Sequence, residues 1–454
     1  MDDANKGPVF LITTLSSFLT PFMSSSITVA LPSIAKEFEL DAILLSWVAM
    51  SYVLTGAVFL VPFGRAGDIW GRKRIFQYGT ILYTLSSMLL PFSISAAFLI
   101  AFRICQGFAA SMVYSTGLAM LTSVYPPGER GRVLGINIAA VYSGLSLGPF
   151  LGGLLTQHFG WRSLFFSILP ICFAILYYSF WRVKGDWAEA KGENFDWWGS
   201  VIYSLSFILL IYGFSQMPRW MGGWLIFAGI LGLLVFTRWE TKAASPILDI
   251  RLFRENRVFI FSNLASLIHY SATFSVAFLL SLYLQYTKGL SPKYAGLILV
   301  AQPVVQTIFS PFAGKLSDRM EPRIVASFGM GFTAAGISPF IFLKESTTLP
   351  YVVIALAVLG FGFALFTSPN VNALMSSVET RFLGLASAVN STMRQAGQML
   401  SMGTVTVIFT ICIGRVQITP EHYGSFLQSV KTTFLISALL CCGGILACLP
   451  RGKG

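Results

Sequence analysis

The stretch Gly64-Arg-Ala-Gly-Asp-Ile-Trp-Gly-Arg-Lys-Arg74 connects two apolar runs, at residues 43–63 and 75–93. Glycine permits a tight turn in such a connection. Asp68 can accept hydrogen bonds from the N-terminus of a neighbouring helix or from an arginine of an adjacent helix. This spacing predicts a latch that holds one conformation closed and releases it in another, formed by Gly64, Asp68, Gly71 and Arg72. The alternative is a cationic loop that only marks the cytoplasmic face of a membrane protein.

Apolar runs of similar length recur along the whole chain, in which 55% of the residues are hydrophobic and 11% are charged. A soluble domain carries about 25% charged residues, whereas a bilayer core of about 30 Å is crossed by roughly 20 apolar residues in a helix. Because the backbone must satisfy its own hydrogen bonds in lipid, we expect helices. The sequence predicts an all-α integral membrane protein with fourteen transmembrane helices, at residues 8–31, 43–63, 75–93, 97–121, 132–157, 163–181, 198–215, 222–237, 258–286, 294–314, 323–343, 350–370, 384–413 and 431–449.

The basic residues are distributed unevenly between the two sides of this topology. Twenty-one of the 31 Lys and Arg residues fall on the side that holds the termini, and eight fall on the opposite side. This bias predicts a multi-pass protein of the cell membrane with both termini in the cytoplasm. The net charge of +12 then serves orientation and attraction to anionic lipid, so membrane lipids are expected partners and nucleic acid is not.

Two short patterns repeat along the chain. Gly64-Arg-Ala-Gly-Asp68 recurs as Gly314-Lys-Leu-Ser-Asp318, and Arg132-Val-Leu-Gly135 recurs as Arg381-Phe-Leu-Gly384. The two offsets, 250 and 249, are nearly equal, which predicts two pseudo-symmetric six-helix halves and makes Asp318 a second latch residue. The expected domains are an N-terminal six-helix half at 1–185, a linker with two inserted transmembrane helices at 186–250, and a C-terminal six-helix half at 251–454.

The stretch at 64–74 closely resembles the loop motif of the major facilitator superfamily. The resemblance implies a transporter whose two halves rock around a central site. A second segment, Arg103-Ile-Cys-Gln-Gly107 in the fourth expected span, resembles a motif whose arginine is implicated in proton coupling. An arginine inside a span faces a cavity or a partner. The alternative for Arg103 is a structural role, with hydrogen bonds to carbonyls of the first span.

The fifth expected span contains a glycine-rich segment that includes Gly-Pro-Phe-Leu-Gly-Gly at residues 148–153. Small residues let helices approach closely, and Pro149 is expected to bend the span. The segment resembles the motif associated with antiporters of the superfamily, which favours export over uptake. Its residues are Gly144, Gly148, Pro149, Gly152 and Gly153.

Two further segments resemble the fourteen-span drug/proton antiporter (multidrug efflux) family. They are Asp196-Trp-Trp-Gly199 and Met393-Arg-Gln-Ala-Gly397. The resemblance therefore covers nearly the whole chain.

The acidic residues depart from that family. Its members often carry an acid in the first span, nine positions before the proline that ends the span, and counting back from Pro32 gives Met23. None of the 19 Asp and Glu residues lies in the middle of an expected span. A buried carboxylate is the usual attractor for a cationic drug and a common proton carrier. The embedded basic groups therefore become the candidates for proton coupling or substrate binding: Arg103, His269 and Arg394.

The last two of these groups each allow two interpretations. His269 lies about halfway along the ninth expected span and can carry a proton, or it can serve as a hydrogen-bonding group in helix packing. Arg394 can meet an anionic or polar substrate near the midplane, or it can tether two helices. Uncharged polar side chains are expected to shape the cavity: Ser24, Ser25, Tyr52, Gln302, Gln306, Asn370, Asn372 and Asn390.

The sequence shows no nucleotide-binding loop, zinc-ligand cluster or nucleophile elbow, so we expect neither an enzyme nor a cofactor nor a metal site. The leading hypothesis is a monomeric secondary transporter that exports hydrophobic or amphiphilic small molecules in exchange for protons. The missing carboxylates favour one alternative, a transporter of organic anions, neutral metabolites or lipid-like molecules. A second alternative is a non-transporting sensor or scaffold.

Overall fold

The computed structural model describes residues 3–217, 219–243, 245–247, 256–378, 383–414 and 416–448. Most residues in these ranges lie in long α-helices that pack side by side. The first six helices form what we call the N-terminal bundle: α1 (Asp3–Phe38), α2 (Ala42–Trp70), α3 (Arg72–Leu89), α4 (Ala96–Val124), α5 (Pro127–Phe159) and α6 (Ser163–Trp181). Two further helices follow, α7 (Trp197–Gln216) and α8 (Trp220–Glu240).

The remaining helices form the C-terminal bundle. They are α9 (Arg257–Thr273), α10 (Ser275–Leu282), α11 (Pro292–Leu299), α12 (Ala301–Arg319), α13 (Pro322–Ile337), α14 (Leu349–Ser376), α15 (Leu383–Cys412) and α16 (Tyr423–Cys448). The pair α9 and α10 forms one run that continues through a π-helical turn, and α11 and α12 form another.

Short polar residues set several helix starts, because their side chains accept hydrogen bonds from the unpaired N–H groups of the first turn. Asp41 accepts from the Leu44 amide at 2.7 Å at the start of α2, and Asp196 accepts from Gly199 at 2.8 Å at the start of α7. Asn256 caps α9 in the same way. Local sequence therefore places these boundaries close to where the hydropathy pattern predicts them.

Twelve helices or helical runs of the described residues are long and apolar enough to cross a membrane. The two other long helices are α3 and α15. Polar residues lower the hydropathy of both: α3 opens with three cations and buries Gln77, Thr80 and Thr84, and α15 carries Arg394, Gln395 and Gln398. The count of fourteen spans therefore exceeds what length and composition support by themselves, whereas the expected inserted spans at 198–215 and 222–237 coincide with α7 and α8.

Close glycine contacts recur at matching places in the two bundles. A Cβ on Gly144 of α5 would lie 2.4 Å from the Phe18 carbonyl oxygen of α1, and a Cβ on Gly397 of α15 would lie 2.5 Å from the Leu267 oxygen of α9. Glycine at such points lets two helix backbones touch. The two bundles thus use the same helix contact at offsets of about 250 residues.

A serine–asparagine hydrogen bond follows the same repeat. Ser17 of α1 donates to the Asn137 side-chain oxygen of α5 at 2.7 Å, and Ser266 of α9 donates to that of Asn390 of α15 at 2.8 Å. Each asparagine lies seven residues before the glycine of the corresponding close contact. The repeat therefore fixes which residues of α5 and α15 occupy equivalent positions.

Helices α7 and α8 pack against each other and also contact both bundles. Gly213, Gly222 and Gly229 allow the two helices to touch through their backbones. On the N-terminal bundle, Ser204 of α7 donates to the Val58 carbonyl of α2 at 3.4 Å. On the C-terminal bundle, Phe214 lies against Gly403 of α15. The inserted helices therefore lie beside the contact between the bundles.

The basic stretch at 64–74 is mostly helical. Helix α2 continues to Trp70, and only Gly71 separates it from α3. Gly71 has a φ of 109°, a conformation that favours glycine. The stretch expected to connect residues 43–63 with residues 75–93 is therefore itself helical apart from Gly71, because a single glycine is enough to reverse the chain direction.

Candidate functional site

The antiporter-type motif forms the contact of α5 with two other helices. A Cβ on Gly148 would lie 1.8 Å from the Ser25 hydroxyl of α1, and one on Gly152 would lie 2.8 Å from the Ser26 backbone. Ser26 also donates to the Gly148 carbonyl at 3.0 Å. This face of α5 therefore has no room for a side chain larger than hydrogen.

The other side of the motif contacts the C-terminal bundle. A Cβ on Gly153 would lie 2.4 Å from the Pro292 carbonyl, and one on Gly296 of α11 would lie 2.0 Å from the Pro149 carbonyl. Next to this contact, Ser291 donates to Gln157 at 2.8 Å. The motif thus joins the two bundles backbone to backbone.

Further hydrogen bonds join the bundles at the same end of the molecule, opposite the end from which α1 starts. Ser281 donates to the Thr28 carbonyl at 2.7 Å, and the hydroxyls of Ser46 and Thr406 lie 3.0 Å apart. The Ala42 amide also donates to a backbone carbonyl between α15 and α16, at 3.1 Å. We call this end of the bundle contact the closed end.

Arg394 reaches across the middle of the molecule. It lies eleven residues into α15, about 17 Å along the helix. Its guanidinium donates to the Tyr114 hydroxyl of α4 at 2.5 Å and lies 5.5 Å from the centre of that ring. The side chain is partly exposed. It therefore links the two bundles at a position that remains accessible.

Two more tyrosines surround this guanidinium. Tyr142 of α5 and Tyr270 of α9 lie close enough to interact electrostatically with Arg394. Gln306 of α12 lies near Tyr142 and is itself 3% exposed. We call Arg394, Tyr114, Tyr142, Tyr270 and Gln306 the central cluster. It combines one cation, several hydroxyl and amide groups and three aromatic rings.

His269 is fully buried beside aromatic rings. Its imidazole stacks on Phe366 with ring centres 4.1 Å apart and meets the edge of Phe363 at 4.5 Å. Neither ring nitrogen has a hydrogen-bond partner among the described residues. In the described part of the chain His269 is therefore not a hydrogen-bonding packing group. Its neutral imidazole has one unpaired N–H and one nitrogen with a free lone pair, and that second nitrogen can take a proton.

Arg103 forms a separate cluster inside the N-terminal bundle. It is fully buried, donates to Gln106 at 2.7 Å and to the Val48 carbonyl of α2 at 3.4 Å, and lies 4.3 Å from the Tyr52 ring centre. Gln106 in turn donates to Ser87 of α3. The carbonyl partner belongs to α2, whereas the structural alternative assigned it to the first span. One guanidinium nitrogen, Nη2, has no partner in the described part of the chain.

The latch residues bind the segment that connects α6 to α7. Arg72 contacts Asp68 at 2.7 Å, Glu189 at 2.7 Å and the Ser123 hydroxyl of α4 at 2.5 Å. Gly71 leaves space for Asp186, because a Cβ there would lie 2.1 Å from its carboxylate.

Asp68 accepts a hydrogen bond from Arg72 of the adjacent helix α3. This is the second of the two interactions predicted for Asp68, a hydrogen bond from an arginine rather than from a helix N-terminus. A Cβ on Gly64 would lie 3.8 Å from the Ser115 side chain, and the side chain of Asp318 is outside the described part of the structure.

The cavity candidates fall into several environments. Gln306 belongs to the central cluster, and Asn370 and Asn390 bind Ser266 within the C-terminal bundle. Asn372 donates to Ser317 near the end of α14. Ser24 and Gln302 are half-buried. The Ser25 hydroxyl contacts Gly144 and Gly148 between helices, and the Tyr52 ring contacts Arg103 inside the N-terminal bundle.

The three tyrosines of the central cluster were not among the residues expected from the sequence. Tyrosine is enriched at the membrane interfaces, where its hydroxyl reaches water. Tyr114 lies eighteen residues into α4, and Tyr142 lies fifteen residues into α5. A tyrosine far from both ends of a span is the sequence signal that could have identified them.

Comparison with protein families gives a match over most of the chain. The family described as Major Facilitator Superfamily matches residues 13–402 and, in a second match, residues 262–452. The chain is 26% identical over 441 residues to the riboflavin transporter RibZ of Clostridioides difficile, covering 96% of each protein. It is 28% identical to the multidrug resistance protein Stp of Mycobacterium tuberculosis, covering 87% of this chain and 75% of that one.

The same comparison extends to an export protein and to solved structures. The chain is 26% identical to the tetracenomycin C resistance and export protein of Streptomyces glaucescens, covering 90% of this chain and 77% of that one. A D-xylose–proton symporter superposes with a TM-score of 0.71 at 14% identity, covering 99% of this chain and 98% of the symporter. A peptide transporter superposes with a TM-score of 0.69 at 15% identity, covering 99% and 95%. These structures share the fold with the chain.

Proposed function

We propose that this chain, which belongs to the major facilitator superfamily, exports hydrophobic or amphiphilic small molecules across the cell membrane in exchange for protons. Membership of the family indicates a transporter rather than an enzyme. The proposal concerns the direction, the class of cargo and the coupling ion.

The observation that carries the proposal is the arrangement of the contacts between the bundles. Backbone contacts through Gly153 and Gly296 join the bundles at the closed end, whereas Arg394 and Tyr114 meet across the middle at an accessible position. A transporter of this type exposes a central site to one side at a time by rocking its two halves. The structure fits one of the two states of that cycle, with the two bundles as the moving halves.

Two features support export of amphiphilic compounds. The glycine-rich face of α5 forms the contact at the closed end, and its sequence resembles the antiporter motif. Two relatives carry names that refer to multidrug resistance or to export, and another is named as a riboflavin transporter. Aromatic rings of the central cluster suit cargo with a flat apolar part.

The proposal includes fourteen membrane spans with α3 and α15 among them. Helix α3 packs between α4 and α6, and α15 packs against α2, α7, α9 and α16. Helix α3 buries Gln77, Thr80 and Thr84, and α15 brings Arg394 to the central cluster. Polar residues in such places lower the mean hydropathy of a span without requiring it to present them to lipid. An even number of spans places both termini on one side, and the excess of basic residues there favours the cytoplasm.

For the coupling ion, His269 is the candidate proton carrier in the C-terminal bundle and Arg103 a second coupling residue in the N-terminal bundle. Protein reconstituted in liposomes with an imposed pH gradient tests the proposal, with riboflavin and a fluorescent amphiphilic dye as cargo. We expect flux of at least one compound that stops when an ionophore collapses the gradient. Flux of the same size with and without the gradient contradicts proton exchange, and complete absence of flux favours the sensor or scaffold.

A further inference from the structure

Among the residues that the structure describes, no carboxylate pairs with the positive charge of Arg394. Its polar contact is the Tyr114 hydroxyl, and no ion pair within 4.0 Å includes it in the described part of the chain. A charged group at this depth in a membrane protein is costly unless it is paired or serves a ligand. A neutral hydroxyl and the face of a ring compensate only part of that charge.

The repeat places no second charge opposite Arg394 at the equivalent position of the N-terminal bundle. Arg394 lies three residues before Gly397, and Val141 lies three residues before Gly144, which makes the same contact in the other bundle. The equivalent position of the N-terminal bundle is therefore apolar. A bound molecule meets a cation from the C-terminal bundle and the tyrosines Tyr114 and Tyr142 from the N-terminal bundle, so its two ends encounter different chemistry.

The tyrosines add two properties to this asymmetric site. Their hydroxyls can donate hydrogen bonds to an anion beside the guanidinium, and charge-assisted hydrogen bonds of this kind are the strong ones. Their rings offer faces and edges to a flat aromatic molecule. A cationic ligand would have to approach Arg394 without a counter-ion, since the acidic residues of the described chain lie outside the middle of the helices.

We propose that the central cluster binds an aromatic molecule carrying an acidic group, with the ionised acid on Arg394 and the ring against Tyr114 and Tyr142. This rests on the proposed transport function and names its substrate class. Without a ligand, the Arg394 guanidinium donates its hydrogen bond to the Tyr114 hydroxyl. When a ligand binds, its carboxylate accepts that hydrogen bond instead. The anionic end then always faces the C-terminal bundle.

Binding of three probes with one ring system tests this proposal: 2-naphthoate, 2-naphthalenemethanol and 2-naphthylmethylammonium, titrated into the full-length protein in nanodiscs. We expect 2-naphthoate to bind at least about tenfold more tightly than the ammonium probe, since one charge-assisted hydrogen bond contributes a factor of this order. Arg394→Gln should abolish the preference, and Arg394→Lys should retain part of it.

Val141→Gln is the matched control, because it changes the equivalent position of the other bundle. It should leave 2-naphthoate affinity within about threefold of the parent. Thermal stability of each variant shows that it is folded. Equal affinity for the three probes, no binding of any of them, or unchanged 2-naphthoate binding by Arg394→Gln would overturn the proposal and leave Arg394 as a tether between helices.

The two proposals fail in different ways. Loss of naphthoate selectivity alongside flux that depends on the pH gradient overturns only the substrate class. Selective naphthoate binding that requires Arg394, in a protein that moves no compound in liposomes, supports the anion site and contradicts transport.

Discussion

Replacing Gly296 with alanine tests how the closed end is built. The new Cβ would lie 2.0 Å from the Pro149 carbonyl oxygen and 2.9 Å from its carbon. Both are backbone atoms, so no side chain can rotate away. An ordinary contact needs about 3.4 Å, and α11 must therefore move away from α5 by about 1.4 Å.

Overpacking of this kind destabilises the packed arrangement by about 1–3 kcal/mol. The strain is present only while the bundles touch at this end, so it destabilises the closed arrangement relative to the open one. A free-energy change of this size shifts the ratio of the open to the closed population by about 5- to 150-fold. Gly135→Ala is the matched control, since it lies on α5 and its Cβ would meet no atom within 4 Å.

The assay follows the accessibility of the closed end. Ser46 is fully buried there, and Ser46→Cys in a chain whose native cysteines are replaced provides one reactive thiol. We expect Gly296→Ala to raise the rate of alkylation by a membrane-impermeant maleimide, and Gly135→Ala to leave it unchanged. Equal rates in the parent and in Gly296→Ala would refute the reasoning, because the contact would then not hold the end shut.

Two further changes test other parts of the site. Arg72→Gln removes contacts to Asp68, Glu189 and Ser123, whereas Asp68→Asn weakens only one of them. Trypsin should therefore cleave the segment between α6 and α7 faster in the Arg72→Gln variant than in the Asp68→Asn variant. Equal cleavage of the two variants would contradict the central role of Arg72. His269→Phe loses no side-chain hydrogen bond within the described residues and keeps the aromatic stack on Phe366. The free energy of unfolding should therefore stay within about 1 kcal/mol of the parent, while the dependence of flux on the pH gradient is lost. Retained dependence would exclude His269 as the proton carrier.

Sequence was most informative about the helices and their close contacts. Long apolar runs give most of the helix positions because lipid leaves the backbone few alternatives. The glycine pattern of α5 predicted close approach, and Gly144, Gly148, Gly152 and Gly153 all touch another helix. Such contacts depend on residue size alone, which is readable from one sequence.

The partners of the polar residues were harder to predict. Arg72 binds Glu189, which is 117 residues away, and Arg394 binds Tyr114, which is 280 residues away. Hydropathy does not specify which helices lie side by side, so these pairs required the three-dimensional arrangement. The contact of the Ser25 hydroxyl with the glycines of α5 was unpredictable for the same reason, since a hydroxyl on a helix can face a cavity or a neighbouring glycine.

A cross-link at the closed end tests the central claim, that the chain transports by alternately opening and closing this contact. Ser46 and Thr406 are suited to it, because their hydroxyl oxygens lie 3.0 Å apart on opposite bundles, so cysteine sulfurs at these two positions would lie close to each other. We predict that Ser46→Cys/Thr406→Cys, with the native cysteines replaced, oxidises readily, loses flux in liposomes and regains it on reduction, whereas each single variant remains active in both conditions. Full flux by the oxidised, cross-linked protein would contradict the account.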